Sequence, residues 1–261
     1  MGVYAEYLEF ARGLAARAAA LVAESFLGTF QVDYKGITNL VTDVDRRSEE
    51  LIVGALTRAY PDHAVVAEEG SGREGASAFR WYVDPIDGTN NFAHGYPMVS
   101  VTLALEHEGR IVAGVTRDCL MGESWWAEAG AGAWCERGRL AVSAAPRLEA
   151  ALVSTGFPYD KHTSVQDNLG NFARVTKRVQ GIRRGGSAAL DLAYVAAGRL
   201  DGFWELKLSS WDTAAGILLV AEAGGRVSRI DGSAYRPGDV DIVATNGLIH
   251  EELASLLKLE G

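Results

Sequence analysis

Hydrophobic and polar positions follow two different periods along the chain. In the first part, apolar residues recur at helical spacing, which predicts an amphipathic helix over residues 3–27. A short extended piece around residues 30–34 and a loop come next. A second helix is then expected to begin near Asp43 or Asp45 and to end before Pro61. The amino-terminal region is therefore predicted to contribute two helices.

Shorter apolar runs dominate the rest of the chain. Up to about residue 145 they are typical of strands, and Glu108-Gly109 between two of them predicts a hairpin turn. Farther along, strands and helices alternate, which predicts layers of helix and sheet. We therefore expect a single domain over residues 1–261, with an antiparallel sheet under helices in a subdomain of roughly 1–145 and an α/β subdomain over 146–261.

The composition restricts the class of protein. The chain has 261 residues, 48% of them hydrophobic, which suffices for a substantial core. Its net charge of −9 argues against a nucleic-acid partner, because phosphate backbones attract basic surfaces. The first helix carries too many charges for a signal peptide or a membrane span. With only two isolated cysteines, we expect a cytoplasmic protein with reduced thiols and no membrane partner.

Acidic residues end three of the apolar runs, namely Glu68 with Glu69, Asp84 with Asp87, and Asp212. In mixed α/β folds such strand ends and helix starts meet at one rim, where ligands bind. Two like charges about 4 Å apart repel by roughly 4 kcal/mol at an effective dielectric near 20, so a cluster must share protons or bind cations. Because all the donors are oxygens, the pattern favours Mg²⁺, with Mn²⁺ or Ca²⁺ as alternatives.

The residues after Asp87 add an anion site to this picture. Gly88 permits a tight turn, and a short helix that opens at Thr89 would present free N–H groups to a phosphate. Simpler alternatives stay open for each piece alone. The Asp-Pro-x-Asp-Gly string is compatible with an ordinary turn, the glutamate pair with a solvated strand end, and Trp211-Asp212 with a helix N-cap. The combination favours a metal-assisted phosphatase.

An ordered series of segments resembles the inositol monophosphatase family of Mg²⁺-dependent, lithium-sensitive phosphatases. The series comprises NLVTDVD, VAEEG, WYVDPIDGTNNFAHGYP, GIRRGGSAALDLAYVAAGRLDGFWE, SSWDTAAG and IVATN, and it covers nearly the whole chain. The resemblance implies a five-layer α-β-α-β-α sandwich of the type shared with fructose-1,6-bisphosphatase. It also implies a homodimer that acts on a small phosphate ester with two or three Mg²⁺ ions, Mn²⁺ being an alternative.

The resemblance also implies a role for each matching residue. Metal ligands would be Glu68, Asp84, Asp87, Asp212 and the carbonyl of Ile86. Asp45 and Thr89 would orient and deprotonate the attacking water, and Glu69 would act on a metal through a water molecule. Substrate contacts would come from Gly88, Thr89, Ala188 and Glu205. Further candidates are Lys35, Ser187, Asp191 and Arg183.

The substrate is the least determined part of the prediction. Inositol monophosphate is the leading hypothesis, because Glu205 matches a residue that grips substrate hydroxyls in the family. Fructose 1,6-bisphosphate, alone or as a second activity, and 3′-phosphoadenosine 5′-phosphate are rival substrates, because the metal-binding residues are common to all three. A binding or regulatory protein that has lost the chemistry is the alternative from another class.

Overall fold

The computed structural model describes residues 2–259, which form seven α-helices and fourteen strands. The helices are α1 (Ala5–Ser25), α2 (Asp43–Ala59), α3 (Thr89–Ala93), α4 (Leu169–Thr176), α5 (Ala188–Ala196), α6 (Ser210–Glu222) and α7 (His250–Leu256). The strands are β1 (Val32–Tyr34), β2 (Leu40–Thr42), β3 (Ala64–Ala67), β4 (Phe79–Asp87), β5 (Ser100–His107), β6 (Arg110–Asp118), β7 (Ser124–Glu128), β8 (Gly132–Cys135), β9 (Gly138–Arg139), β10 (Leu152–Thr155), β11 (Gly181–Arg183), β12 (Gly202–Leu206), β13 (Arg226–Ser228) and β14 (Asp241–Thr245).

These elements stack in five alternating layers. Helices α1 and α2 cover one face of a seven-stranded sheet, and α5 and α6 lie between this sheet and a five-stranded one. Helices α4 and α7 pack on the far side of the five-stranded sheet, against Trp204 and Val243. The layered α-β-α-β-α arrangement predicted from the sequence is confirmed.

The seven-stranded sheet runs in the order β3-β4-β5-β6-β7-β8-β9 and is antiparallel except for the β3–β4 pair. The hairpin predicted at Glu108-Gly109 joins β5 to β6. Both turn residues have positive φ angles, 50° and 76°, as a two-residue turn between right-twisted strands requires. The prediction of an antiparallel sheet in this half of the chain is therefore confirmed.

The five-stranded sheet has the order β11-β10-β12-β14-β13, with β10, β11 and β12 parallel and the remaining pairs antiparallel. The helices between its parallel strands explain the alternating pattern of the second half. Division of the chain near residue 145 stays a prediction, and that position lies between β9 and β10. Over the described residues, no helix combines the length and apolar character needed to cross a bilayer.

Two boundaries differ from the sequence prediction. Helix α1 is shorter at both ends than the predicted range 3–27, and Leu27 beyond it takes a left-handed φ of 61°. The segment predicted as a loop before α2 contains β2, which pairs with the expected extended piece at β1. Three-residue strands of this kind escape detection because their stability depends on a partner rather than on their own sequence.

Candidate active site

Strand β4 delivers the first two acidic side chains through an irregularity in its pairing. Asp84 lies opposite Thr102 and Asp87 opposite Ser100. The two pairs are three residues apart on β4 but only two residues apart on β5, so β4 has one extra residue here. Such a one-residue bulge bends a strand and redirects its side chains. Both aspartates are buried, and both line a cavity of about 280 Å³.

The turn after Asp87 requires glycine. Gly88 has a φ of 98°, and a Cβ atom there would lie 2.6 Å from the carbonyl oxygen of Met98. The turn places Thr89 at the start of α3, where its Oγ1 donates to Asp45 Oδ1 at 2.8 Å and lies 3.1 Å from the Ile86 carbonyl. Gly88, Thr89 and Ile86 all line the cavity.

Asp45 occupies the third position of α2 in a capping box. Its Oδ2 accepts from the backbone N–H of Thr42 at 2.8 Å and from the Thr42 hydroxyl. The N-cap is therefore Thr42, and α2 begins at Asp43, where the sequence predicted its start near Asp43 or Asp45. Burial raises the pKa of Asp45, while the hydrogen bonds from Thr42 and Thr89 oppose the rise.

Glu68 and Glu69 follow β3 and share a lysine. The ammonium of Lys35 lies 2.6 Å from Glu69 Oε1 and 3.3 Å from Glu68 Oε1. Burial raises the pKa of Glu68 to about 7 and also raises that of Glu69, in each case against the influence of Lys35. Burial opposes the charge of Lys35 as well, but the two carboxylates outweigh it and raise its pKa. The ammonium group of Lys35 thus offsets part of the negative charge of Glu68 and Glu69.

The position of this turn depends on a residue that sequence reasoning missed. Glu49 of α2 is buried and accepts from the backbone N–H of Glu69 at 2.7 Å and from that of Ser71 at 2.9 Å. The sequence around Glu49 does not reveal this contact, because Glu49 has the same local pattern as a solvent-facing polar residue of a helix. Its role is created by a contact across 20 positions of sequence.

Asp212 reaches the cavity from the first turn of α6. Its Oδ2 accepts from the backbone N–H of Ser209 at 2.7 Å, so Ser209 rather than Trp211 or Asp212 is the N-cap. Burial raises the pKa of Asp212 well above its usual value, and Asp87 and Glu68 raise it further. Burial and neighbouring carboxylates have the same effect on Asp84.

The start of α5 holds Asp87 in place. Asp87 Oδ2 accepts from Ser187 Oγ at 2.6 Å and from the backbone N–H of Ala189 at 2.7 Å. Burial raises the pKa of Asp87 to about 6 despite these bonds. Ser187 and Ala188 line the cavity, as expected of substrate-contacting positions.

Glu205 on β12 contributes a further carboxyl group to the cavity. A Cβ atom on Gly156 would lie 2.1 Å from Glu205 Oε1, so only glycine at that position leaves room for it. Burial raises the pKa of Glu205 to about 8, as does Asp191, while Arg184 lowers it. Asp191 is buried beside this group, and burial raises its pKa well above the usual range.

The cavity brings together most of the residues predicted from the sequence. Those that line it are Lys35, Glu68, Asp84, Ile86, Asp87, Gly88, Thr89, Ser187, Ala188, Glu205 and Asp212. Asp45 and Glu69 contact lining residues, and Asp191 is buried without lining the cavity. Arg183 is exposed and donates to the carbonyl of Ile182, whereas the next residue, Arg184, lines the cavity.

The donor set suits a hard divalent cation. Five carboxylates and the Ile86 carbonyl line one cavity, with no imidazole or thiol among its lining residues. In the described part of the chain, no three acidic, His or Cys side chains already lie close enough to hold one metal ion. The carboxylates thus share a cavity without yet forming a closed ligand shell, and their mutual repulsion is what a cation would relieve.

Comparison with known proteins identifies the family. The model of the inositol monophosphatase family matches residues 4–260. The inositol-1-monophosphatase of Mesorhizobium japonicum is 44% identical over 229 residues, which cover 87% of this chain and 86% of that protein. The Pseudomonas aeruginosa protein named Nus factor SuhB is 47% identical over 212 residues, covering 79% and 78%. The solved inositol monophosphatase of Anabaena superposes with a TM-score of 0.88 at 36% identity, covering 98% and 96%. The chain belongs to the inositol monophosphatase family.

Proposed function

We propose that this protein is a Mg²⁺-dependent phosphomonoesterase that hydrolyses inositol monophosphate to inositol and phosphate. The observation that carries the proposal is the meeting of the carboxylates of Glu68, Asp84, Asp87 and Asp212 in one cavity, beside a threonine bonded to a buried aspartate. In a phosphatase that used no metal ion, so many buried carboxylates would repel one another without contributing to catalysis.

The proposed metal sites divide these ligands as follows. Glu68, Asp84 and the Ile86 carbonyl would hold one Mg²⁺, and Asp84, Asp87 and Asp212 a second. A third ion near Glu68, and Mn²⁺ in place of Mg²⁺, are further options. If bound there, the metal ions would lower the pKa of the attacking water and would offset negative charge on the leaving oxygen.

The chain itself supplies the proton acceptor and the phosphate contacts. Thr89 Oγ1 already donates to Asp45 at 2.8 Å, so it is oriented to accept a proton from water as it passes its own to the carboxylate. The water oxygen then bonds to phosphorus, the ester P–O bond breaks, and the leaving oxygen takes up a proton from solvent, to which Asp45 returns the one it received. Gly88 and Thr89 offer backbone N–H groups, and Glu69, which pairs with Lys35, would act on a metal ion through a water molecule.

Substrate hydroxyl groups are proposed to meet Glu205 and the backbone of Ala188, which line the same cavity. A carboxyl group raised to a pKa of about 8 donates as well as accepts hydrogen bonds near neutral pH, which suits a polyol. Ser187 and Asp191 would act indirectly, by holding Asp87 and by neighbouring Glu205.

A panel of phosphate esters tests the substrate. Phosphate release is measured with Mg²⁺ from myo-inositol 1-phosphate, fructose 1,6-bisphosphate and 3′-phosphoadenosine 5′-phosphate. We expect the highest kcat/KM for the inositol ester. A tenfold preference for either rival would overturn the substrate assignment, and activity that persists after full chelation would overturn the metal mechanism.

Asp87→Asn tests the carboxylate cluster directly. We expect turnover to fall by more than about a hundredfold, because even outer partners of metal ligands are worth roughly 10- to 100-fold. The fold should persist, since the amide oxygen can still accept from Ser187 and Ala189. Asp62→Asn, at an exposed position outside the cavity, is the control and should retain wild-type turnover.

A binding role is the second candidate, carried by the 47% identity to the protein named Nus factor SuhB. In that case Asp87→Asn would leave the physiological role intact while removing hydrolysis. We further propose a cytoplasmic homodimer without a nucleic-acid or membrane partner. Measurement of the mass in solution by light scattering checks the dimer, and a gel-shift titration with RNA checks the absence of a nucleic-acid partner.

A further inference from the structure

A second cavity lies where the β5–β6 hairpin meets the second half of α6. Its volume is about 540 Å³, which is within the usual range of small-molecule sites. Its apolar lining consists of Ile111, Ile217, Leu218, Ala221, Val227 and Pro237. The two cavities share no lining residue, so a ligand held in this one would be distinct from the substrate at the carboxylates.

Positive charge exceeds negative charge at this second cavity. Three of its lining residues are arginines, namely Arg80, Arg110 and Arg236. One lining residue is acidic, Glu106, although the whole chain has a net charge of −9. Glu106 is already occupied, because it accepts from the hydroxyl of Tyr82 at 3.0 Å and lies 3.3 Å from Nη1 of Arg80. The excess positive charge therefore belongs to the other two arginines.

Arg110 and Arg236 have no acidic partner of their own. Within residues 2–259 neither guanidinium makes an ion pair within 4.0 Å or a side-chain hydrogen bond. A guanidinium in this state can pair with two oxygens of an anionic group and can stack on a flat apolar group. The apolar residues beside it can remove the rest of such a ligand from water.

We propose that the second cavity binds a small organic anion with an apolar body. Its charged group pairs with Arg110 and Arg236, and its body lies on the apolar lining contributed by α6. Both parts are needed, because salt screens ion pairs at an exposed rim, and apolar area alone does not distinguish a charged ligand from an uncharged one. Binding there involves no metal ion and no hydrolysis, so it is independent of the proposed function.

The probe for this test is anilinonaphthalene sulfonate, which joins a sulfonate to an apolar ring system and fluoresces when it leaves water. Its uncharged analogue, phenylnaphthylamine, has the rings alone. In metal-free fluorescence titrations we expect one sulfonate probe to bind per chain. The double variant Arg110→Gln/Arg236→Gln should lose at least about tenfold in affinity for the sulfonate, while affinity for the uncharged amine stays within about twofold.

Two further variants test the location. Arg58→Gln is the matched control, because Arg58 is also exposed and without an ion pair but lies on α2, outside the cavity lining. It should bind both probes as wild type does. Ala221→Phe adds a ring to the apolar lining and should weaken both probes at least about tenfold. The replaced side chains are exposed, so every variant should keep the wild-type melting temperature.

The opposite results would overturn the inference. These are an absence of saturable sulfonate binding by wild type, an equal loss in Arg58→Gln, equal losses of both probes in the double variant, or full binding by Ala221→Phe. A change of mass in solution in the double variant, measured by light scattering, would make this face an interface between copies of the chain instead. Phosphate release plays no part in these titrations, so failure of the proposed function would leave their result unaffected.

Discussion

Thr89 and Asp45 form the most precisely built contact of the site. The hydroxyl donates to Asp45 Oδ1, while Asp45 Oδ2 is fully occupied by Thr42. The carboxylate is therefore held in place, and Asp45 Oδ1 is the nearer of the two acceptors of the threonine hydroxyl, the other being the Ile86 carbonyl at 3.1 Å. A side chain held in this way is ready to exchange protons with a water molecule, whereas a free hydroxyl would not be.

Thr89→Val removes the hydroxyl and keeps the shape of the side chain. We expect kcat to fall by about 10²- to 10⁴-fold, the range for loss of positioned proton transfer, while Mg²⁺ binding measured by calorimetry stays unchanged. Thr89→Ser restores the hydroxyl and should recover most of the rate. If serine is as inactive as valine, the contribution of Thr89 is packing and the proton-transfer role is wrong.

At the level of single residues, the sequence indicated which acidic side chains line the cavity better than it indicated how neighbouring side chains are oriented. Asp84 and Asp87 are identifiable because the turn residues between and after them mark a strand end. Arg183 and Arg184 are not distinguishable in that way. Successive side chains of an extended segment point to opposite sides, and the sequence does not reveal which side faces the cavity.

Among the elements, the β1–β2 hairpin contacts the site through its turn. Lys35, at its turn, contacts Glu68 and Glu69, and Thr38 donates to the carbonyl of Tyr159 at 3.0 Å. The hairpin thus joins the glutamates to a loop of the other half of the chain. Because the proposed metal ligand Glu68 is one of its contacts, hairpin docking and metal binding are expected to compete.

Lys35→Met tests this competition. We expect the Mg²⁺ concentration at half-maximal rise in melting temperature to fall roughly two- to fivefold, since the lost pair is worth about 0.5–1 kcal/mol. Lys207→Met is the control, because Lys207 also lines the cavity but pairs with Asp160. A weaker response to Mg²⁺ in Lys35→Met would show that the lysine assists metal binding instead.

A buried histidine at the start of helix α7 adds polar contacts to the packing of this helix on the five-stranded sheet. His250 Nε2 lies 2.8 Å from Ser228 Oγ and Nδ1 lies 3.0 Å from Thr245 Oγ1. Burial lowers the pKa of His250 to about 4, helped by Arg226. A lowered pKa means that the folded state resists protonation, so the stability it provides is present above pH 6.5 and is lost as the pH falls toward 4.

The expected loss of unfolding free energy from His250 over that interval is about 3 kcal/mol at most, at roughly 1.4 kcal/mol per pH unit. His250→Gln should be less stable than wild type by about 1–3 kcal/mol at pH 7.5, and the difference should shrink toward pH 4. Urea unfolding at several pH values measures it. His94→Gln, at an exposed histidine, should follow wild type, and a constant difference for His250→Gln would contradict the titration.

On the scale of the whole molecule, the sequence predicted the layers but not how they meet. Periodicity predicts helices and strands locally, and the alternation in the second half predicts their stacking. The position of β14 next to β12, by contrast, depends on pairing between residues such as Trp204 and Val243, which are far apart in the chain. Glu49 at the Glu69 turn is another such long-range contact.

The proposed metal site links separate layers, so metal binding should stabilise the whole fold. Asp84 and Asp87 come from the seven-stranded sheet and Asp212 from α6 between the sheets. Burial raises the pKa of all three, and neighbouring carboxylates raise those of Asp84 and Asp212 further. Mg²⁺ at about 100 times its dissociation constant adds roughly 2.7 kcal/mol, which corresponds to a rise in Tm of about 5–10 °C.

Differential scanning calorimetry with Mg²⁺, with EDTA and with Na⁺ at matched ionic strength measures this rise, and chelation should reverse it. Asp212→Asn removes one charge from the cluster, so its metal-free Tm should exceed that of wild type while its response to Mg²⁺ is smaller. An equal response in the two proteins would exclude Asp212 as a ligand. Because the carboxylates repel one another without a cation, the residues expected to lower the stability of the metal-free chain are the same ones that are proposed to bind Mg²⁺.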